Sequence, residues 1–313
     1  MTTFLVTGGA GFIGSSLAQA LLAQGDTVRI LDDFSSGRRS NVAGLSGKLD
    51  VVEGSIVDEK TVSTAMQGVE VVFHEAAIPS VPRSVERPQA SMLANVQGTT
   101  VVLDVARRSG VRRVIFAASS SAYGDTPTLP KIETMPTQPK SPYAISKLAG
   151  ELLMKSFAEL YGIETLSLRY FNVFGPRQDP TSQYAAVIPN FVTAALAGQK
   201  PTVFGDGEQT RDFCFIENVV RANILAATTK KKLSGEVVNI ACSERISLNQ
   251  LLAIIGDIAG KKVEATYAPT RAGDVRDSLA SIDAAKDLIG YDPKVDVREG
   301  LKRTIAAFHA TAK

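Results

Sequence analysis

Residues 4–14 read Phe4-Leu5-Val6-Thr7-Gly8-Gly9-Ala10-Gly11-Phe12-Ile13-Gly14, a short apolar run followed at once by spaced glycines. The apolar run predicts a strand, and Leu17, Leu21 and Leu22 behind it follow the spacing of one helix face. Gly8 allows the tight turn, Gly11 lets backbone N–H groups approach a pyrophosphate, and Gly14 permits close helix packing. Phe12 and Ile13 fall at the helix N-terminus that faces the phosphates. The stretch therefore predicts a dinucleotide-binding strand, turn and helix.

A second predicted strand, Thr27 to Leu31, ends at Asp32. A carboxylate at this place accepts hydrogen bonds from an adenosine ribose, so Asp32 favours NAD as the cofactor. Arg38 and Arg39 follow closely and could instead hold a 2′-phosphate. Asp32 lies closer to the expected ribose and would repel that phosphate, so we interpret the two arginines as solvated surface residues.

Beyond these elements, apolar runs alternate with helical patterns along the first half of the chain. The expected strands are Asp50 to Glu53, Val69 to His74, Arg113 to Ala117 and Glu164 to Arg169, with helices near 58–67, 86–109 and 141–162. This alternation predicts an α/β fold, a Rossmann-type doubly wound parallel sheet with a smaller α/β substrate-binding lobe. We expect an NAD-binding domain over 1–172 and the second lobe over 173–313, with some segments returning to the first domain. Val237 to Ile240 is an expected strand of the second lobe, and Ser247 with Gln250 predicts a helix capping box.

Composition excludes several classes of function. The chain has 313 residues, 44% of them hydrophobic, and a net charge of +2 without a basic cluster, so no nucleic acid partner is expected. No apolar stretch approaches the ~18 residues of a membrane span, and the expected location is the cytoplasm. Cys214 and Cys242 lack metal-type spacing, and His74 and His309 are the only histidines. We therefore predict no metal site, and we interpret His74 as a packed residue at a strand end.

Tyr143 and Lys147 stand four residues apart in a predicted helix, on the same face. Lowering a phenol pKa from about 10 to about 7 requires ~4 kcal/mol of stabilisation of the phenolate. One positive charge ~6 Å away supplies roughly 2.8 kcal/mol at an effective dielectric constant of ~20. Lys147 alone therefore falls short, and oxidised nicotinamide would supply the second cation. The pair predicts a general base that works beside NAD.

Together, these motifs resemble those of the extended short-chain dehydrogenase/reductase family over nearly the whole chain, and most of all its nucleotide-sugar 4-epimerases. Phe116 to Gly124 resembles the strand that carries the active-site serine of the family, and alignment on Tyr123-Gly124 places Ser119 at that position. The resemblance implies that Tyr143, Lys147 and Ser119 are catalytic and that Ser120 and Ser121 hold the sugar. Related dehydratases and decarboxylases carry acidic residues where this chain has Ser120 and Ser121, so elimination and decarboxylation are not expected.

The same resemblance implies further binding residues. Besides the glycine-rich turn, Asp32, Tyr143 and Lys147, the NAD site would include Ser36, Gly37, Ser55, Ile56, Ala76, Ala77, Asn95 and Tyr170. The UDP-sugar site would include Ser119, Ser120, Ser121, Tyr143, Asn172, Val187, Val203, Arg211, Arg271, Asp274 and Ser278. Asn172 would touch the substrate diphosphate, and the guanidinium forks of Arg211 and Arg271 would clamp it.

Ser278 bears on the choice of sugar. Counting from Arg271-Ala272-Gly273-Asp274, it aligns with the position where epimerases restricted to UDP-glucose and UDP-galactose carry a bulky Tyr. A small residue resembles the acetamido-sugar epimerases, because a close-packed wall cannot absorb an N-acetyl group without strain. The resemblance thus implies an isomerase acting on UDP-N-acetylglucosamine and UDP-N-acetylgalactosamine, with the plain hexoses as further substrates.

Other functions remain open at this stage. A UDP-glucuronate 4-epimerase and a net-redox nucleotide-sugar reductase or dehydrogenase share the same motifs. A non-catalytic dinucleotide-sensing protein is the remaining alternative, although such proteins commonly lose the Tyr or the Lys. The family resemblance also implies a homodimer built from the helices near 86–109 and 141–162. The helical patterns alone suit the core of a monomer equally well.

Overall fold

A computed structural model describes residues 2–179, 186–270 and 276–311. The strands in these residues are β1 (Thr3–Thr7), β2 (Thr27–Asp32), β3 (Lys48–Glu53), β4 (Val71–His74), β5 (Arg113–Ser119), β6 (Glu164–Tyr170), β7 (Val173–Phe174), β8 (Thr202–Phe204), β9 (Thr210–Arg211), β10 (Cys214–Phe215), β11 (Glu236–Ile240), β12 (Ile246–Ser247) and β13 (Thr266–Ala268). The helices are α1 (Phe12–Ala23), α2 (Arg39–Ala43), α3 (Glu59–Ala65), α4 (Val81–Glu86), α5 (Pro88–Met92), α6 (Gly98–Arg108), α7 (Pro142–Tyr161), α8 (Val187–Leu196), α9 (Ile216–Thr228), α10 (Leu248–Ala259), α11 (Asp283–Ile289) and α12 (Val297–Thr311).

Seven strands form one parallel sheet in the order β11-β6-β5-β4-β1-β2-β3. The central strands are apolar along their length and all four residues of β4 are buried, as expected when helices cover both faces of a parallel sheet. One face packs on α1 and α9, and the other packs on α3, α6 and α7. The Rossmann-type fold is confirmed. The order reverses between β1 and β4, and ligands bind to such sheets in the crevice at this point.

The second, smaller lobe contains three two-stranded sheets, which pair β7 with β10, β9 with β12 and β8 with β13. The strand expected there at Val237 to Ile240 is instead β11, which extends the main sheet beside β6. The placement of this strand in the second lobe was therefore wrong. The capping box is confirmed, with the hydroxyl of Ser247 accepting from the Gln250 N–H and the Gln250 side chain accepting from the Ser247 N–H.

The helix expected near 86–109 is interrupted. Pro88 begins α5, because proline suits the first turn and pushes Arg87 before it out of helical conformation, with φ −134° and ψ 66°. A π-helical turn over Leu93–Gln97 then joins α5 to α6. Such turns are rare and frequently occur at functional sites. This one carries Asn95, whose contacts are described below.

Candidate active site

The glycine-rich turn lies where β1 meets α1, against the segment that follows β4. Gly8 has φ +69°, and a Cβ atom there would lie 2.7 Å from the backbone of Ala76. A Cβ atom on Gly14 would lie 2.3 Å from the carbonyl oxygen of Gly8. Gly11 offers no side-chain cap to α1, so the N–H groups of Phe12 and Ile13 in its first turn suit an anionic ligand. The turn fits a dinucleotide pyrophosphate.

A cavity beside this turn is lined by seven of the sixteen expected NAD-binding residues. Of the residues predicted from the sequence, it is lined by Gly8, Asp32, Ser36, Ser55, Ile56, Ala76 and Ala77. Gly37 lies next to Asp32, which lines this cavity. A Cβ atom on Gly37 would be 2.8 Å from Oδ1 of Asp32. The lining also includes residues that the sequence did not single out, namely Leu31, Asp33, Ser35, Gly54, Ile78 and Ala94.

The Asp32 carboxylate is fixed at the end of β2. Its Oδ2 accepts from the Ala10 N–H at 2.9 Å, and its Oδ1 accepts from the Phe34 N–H at 2.8 Å. Burial raises the pKa of this carboxyl, and the two backbone donors oppose that shift. Arg38 and Arg39 pair with Asp179 and Glu53 on the surface, in agreement with their interpretation as solvated residues. This geometry suits a ribose with a free 2′-hydroxyl.

We expect Asp32→Ala to weaken NAD binding by roughly 10- to 100-fold, since a hydrogen bond to a charged group contributes about 1.5–3 kcal/mol. NADP binding should change less, because the carboxylate repels a 2′-phosphate. Calorimetric titration with both cofactors measures the two effects. Asp33→Ala is the matched control, since its exposed carboxylate lines the same cavity. A wild-type protein that binds NADP as tightly as NAD would contradict this role of Asp32.

The expected catalytic residues meet at the carboxyl end of β5. Ser141 caps α7, and the Tyr143 N–H donates to Oγ of buried Ser84 at 3.1 Å. Ser119 lies within reach of the Tyr143 hydroxyl and lowers the pKa of this phenol. Oγ of Ser119 also accepts from the Ser121 hydroxyl at 2.9 Å and from the Ser121 N–H at 3.2 Å. A phenol and a serine hydroxyl in contact can share a proton at one substrate oxygen.

Lys147 reaches the same strand end from the next turn of α7. It is 4% exposed, and its Nζ donates to the Ala117 carbonyl at 2.8 Å and lies 4.9 Å from the centre of the Phe116 ring. Burial lowers the pKa of Lys147 to about 8, while Glu75 and Glu151 oppose that shift.

The pKa of Tyr143 differs from the sequence-based expectation. Burial raises this pKa above the usual value for a phenol, the hydrogen bond with Ser119 lowers it, and the charge of Glu75 raises it. Lys147 is not among the causes, since its ammonium donates to a backbone carbonyl and faces acidic neighbours. Without cofactor the Tyr143 pKa is therefore raised overall, and the expected lowering of this pKa by Lys147 stays a prediction. A further cation is needed to activate Tyr143.

Glu75 is the main residue that the sequence reasoning missed. It directly follows β4, and its Oε1 accepts from the Tyr170 hydroxyl at 2.7 Å. Burial raises the pKa of this carboxyl to about 7, and the Tyr170 hydrogen bond and Lys147 oppose that shift. An acidic residue directly after an apolar strand, at the edge where ligands bind, was the available signal.

Asn95 is buried within the protein. Its Oδ1 accepts from the Ile78 N–H at 2.8 Å, and its Nδ2 donates to the Ser146 hydroxyl at 2.9 Å. Ile78 lines the cofactor cavity and Ser146 belongs to α7. Asn95 thus ties the cavity wall to the helix that carries Tyr143, and its expected contact with NAD remains a prediction.

A second cavity of about 380 Å³ lies between the main sheet and the smaller lobe. Asn172, Val187 and Arg211 line it, as expected for a UDP-sugar site. Val203 is completely buried in the core, and its neighbours on β8, Thr202 and Phe204, line the cavity instead. Pro82, Gln178 and Gln209 are further lining residues that the sequence did not single out.

Ser278 lies beside the second cavity. Its Oγ accepts from Nδ2 of Asn172 at 3.0 Å and from the Asp212 N–H at 3.3 Å. Asp212 is completely buried and accepts from the N–H groups of Cys242 and Ala280, so it fixes the segment around Ser278. Arg271 and Asp274, the other expected substrate residues of this region, lie outside the described residues.

The two cavities are connected by one stretch of chain. Ile78 lines the first cavity, Pro82 lines the second, and Ser84 two residues later holds the backbone of Tyr143. The stretch 78–84 therefore links the walls of both cavities to the backbone of Tyr143.

Other chemistry finds little support in the described part of the chain. His74 is completely buried between the hydroxyls of Thr7 and Thr99, and burial lowers its pKa to about 3, which agrees with a packing role. No group of three or more potential metal ligands occurs in residues 2–179, 186–270 and 276–311. Over the same ranges, no helix combines the length and apolar character that crossing a membrane requires.

Comparison with known proteins agrees with this geometry. Residues 4–241 match the model of the NAD dependent epimerase/dehydratase family. A UDP-glucose 4-epimerase of Mycolicibacterium smegmatis is 40% identical over 308 residues, which cover 97% of each chain. A UDP-N-acetylglucosamine 4-epimerase of Methanobrevibacter ruminantium, solved with UDP-N-acetylmuramic acid, is 38% identical with a TM-score of 0.94 over 99% of each chain. A UDP-glucose 4-epimerase of Thermotoga maritima, solved with UDP-glucose, is 39% identical with a TM-score of 0.94 over 100% of each chain.

Proposed function

This chain belongs to the NAD dependent epimerase/dehydratase family, and we propose that it is an isomerase that inverts C4 of a UDP-hexose, with UDP-N-acetylglucosamine and UDP-N-acetylgalactosamine as its main substrates. The observation that carries the proposal is the pairing of Tyr143 with Ser119 at the carboxyl end of β5, where Ser84, just past the stretch that reaches both cavities, holds the Tyr143 backbone. The relatives of similar length that act at C4 of UDP-sugars support it.

Each residue of the site has its own role in this reaction. The glycine-rich turn and Asp32 would hold NAD, which would supply the hydride acceptor for C4. Tyr143 accepts the proton of the 4-hydroxyl, and Ser119 relays it at the same oxygen. Asn172 and Arg211, which line the second cavity, hold the UDP while the 4-keto sugar turns over and presents its other face.

A net-redox reaction is the competing proposal, since Tyr143, Ser119 and Lys147 serve both. Interconversion of epimers without added cofactor supports epimerisation, because each hydride is returned. A stoichiometric change in absorbance at 340 nm on addition of cofactor and UDP-sugar supports a reductase or dehydrogenase instead.

The choice of sugar rests on the second cavity. Ser278 is small and accepts a hydrogen bond from Asn172, which lines this cavity, so a larger side chain at position 278 would project beside the sugar. Incubation of the purified protein with UDP-N-acetylglucosamine, UDP-glucose and UDP-glucuronate, followed by separation of the epimers, tests reaction and substrate together. Conversion of UDP-glucuronate alone would replace the acetamido proposal.

A homodimer is part of the proposal. Large apolar side chains are exposed on α4, on the π-helical turn and on α7, and these elements are neighbours. They are Val81, Val85, Leu93, Ile145, Leu152, Leu160 and Tyr161. Exposed apolar surface shared by adjacent helices is typical of an interface. We assign a second copy of this chain as its occupant, in line with the family resemblance.

We expect Leu152→Glu to convert the dimer to a monomer, because Leu152 is 62% exposed and a buried carboxylate without a partner is costly. Sedimentation velocity measures the change. Val51→Glu is the matched control, since Val51 is exposed on the edge strand β3, away from these helices. A wild-type protein that sediments as a monomer would overturn the homodimer.

A further inference from the structure

Glu75 occupies a central position that the mechanism above does not use. Its N–H donates to the Thr7 carbonyl at 3.2 Å, and the Glu75 backbone lies against Gly8, where a Cβ atom would be 3.0 Å from the Glu75 carbonyl carbon. Glu75 thus adjoins the turn expected to hold the pyrophosphate. Because β4 lies between β1 and β5 in the sheet, a dinucleotide running from this turn toward Lys147 would cross the end of β4, which Glu75 directly follows.

The Glu75 side chain is held in place. Its Oε1 accepts from the Tyr170 hydroxyl, which accepts in turn from Nδ2 of Asn223 at 2.8 Å. Asn223 is completely buried on α9 and also donates to the Val219 carbonyl, so this chain of bonds is anchored in the core. A carboxylate fixed in this way cannot turn away to solvent when a ligand enters.

The charges around Glu75 come from several elements. From α7 it faces Lys147 and Tyr143, and both respond to its charge. Tyr170 faces it from β6, and α9 contributes the neutral Asn223. The remaining nearby charges are paired with each other, since Arg169 forms two hydrogen bonds to Glu151. His74, on β4, is buried and neutral.

We infer that Glu75 is a positioning residue that couples Tyr143 to the cofactor, by balancing Lys147 in the empty site and favouring oxidised over reduced nicotinamide in the filled one. Without cofactor, the carboxylate offsets the ammonium and Tyr143 keeps its proton. The cationic ring of NAD⁺, if held near Glu75, would bring the additional positive charge, and Tyr143 could then ionise. NADH lacks this charge, so the carboxylate does not stabilise its binding.

This inference rests on the proposed cofactor chemistry but not on the identity of the sugar. It predicts that Glu75→Gln raises the ratio of the NAD⁺ dissociation constant to the NADH dissociation constant by about tenfold or more. The reason is that the loss of a nearby negative charge weakens the binding of cationic NAD⁺ but not that of NADH. The amide oxygen can still accept from Tyr170, so the shape of the site is preserved. Competition titrations of purified protein stripped of cofactor measure the ratio, and no UDP-sugar is needed.

Glu53→Gln is the charge-matched control. Glu53 lies at the end of β3, is exposed and pairs with Arg39, so its loss should change the ratio by less than twofold. A ratio in Glu75→Gln within twofold of wild type would overturn the inference, as would an equal shift in Glu53→Gln. Failure of the sugar assays would leave this ratio unaffected and would count against the proposed function alone.

Tyr170→Phe provides a second test if Glu75→Gln does not fold. Loss of the Tyr170 hydrogen bond raises the pKa of the Glu75 carboxyl further. Near pH 7 more of it is then protonated, so the ratio should rise as in Glu75→Gln, by severalfold. As the pH rises, more of the carboxylate is ionised in both proteins, so the difference from wild type should shrink. A difference that persists unchanged at pH 9 indicates a purely structural bond and would overturn the inference.

Discussion

Tyr143→Phe is expected to reduce turnover of the UDP-sugar by at least ~10²-fold, since positioned general-base catalysis contributes about 10²–10⁴. The ring remains packed, and only the hydroxyl that bonds Ser119 is lost. Binding of NAD and of the UDP-sugar should therefore stay close to wild type. Initial rates of epimer formation and calorimetric titrations measure the two properties on the same preparation.

Tyr161→Phe is the matched control for this experiment. Tyr161 ends the same helix, α7, and is 52% exposed, so its hydroxyl lies far from the expected reaction centre. Its loss should leave turnover unchanged. Near wild-type turnover in Tyr143→Phe would show that Tyr143 is not the general base. The raised pKa of this phenol would then have no bearing on catalysis.

The main sheet could be predicted from local patterns. The strands β1, β4 and β5 are short, largely apolar runs, and β1, β2 and the glycines between them carry their turn and helix signals in sequence. The position of β11 could not be predicted this way, because pairing with β6 joins residues about seventy positions apart. The π-helical turn was also missed, since helical periodicity does not reveal one extra residue in a turn.

The site was predictable only in part, for an electrostatic reason. Residue identity and spacing pointed to Tyr143, Ser119 and Asp32, and the structure places Tyr143 against Ser119 and Asp32 in the cofactor cavity. The direction of the Tyr143 pKa shift depends on burial and on Glu75, neither of which spacing reveals. Asp212 was missed for a similar reason, because its partners Cys242 and Ala280 come from distant segments of the chain.

Ser278→Tyr is expected to abolish interconversion of the acetamido sugars while sparing UDP-glucose. Oγ of Ser278 lies 3.0 Å from Nδ2 of Asn172, which lines the second cavity, so a phenol ring at this position would occupy space beside the sugar site. An N-acetyl group adds three heavy atoms at C2, and forcing them against a filled wall costs about 1–3 kcal/mol or more. Rates with UDP-N-acetylglucosamine and UDP-glucose, measured on one preparation, give the selectivity directly.

Ser278→Ala separates size from hydrogen bonding. Alanine keeps the space but removes the acceptor for Asn172 and for the Asp212 N–H, so any loss of rate should affect both sugars alike. If volume is the determinant, only the tyrosine variant changes the ratio of the two activities. Equal loss of both activities in Ser278→Tyr, or a wild-type protein without acetamido activity, would show that Ser278 does not determine which sugars the site accepts.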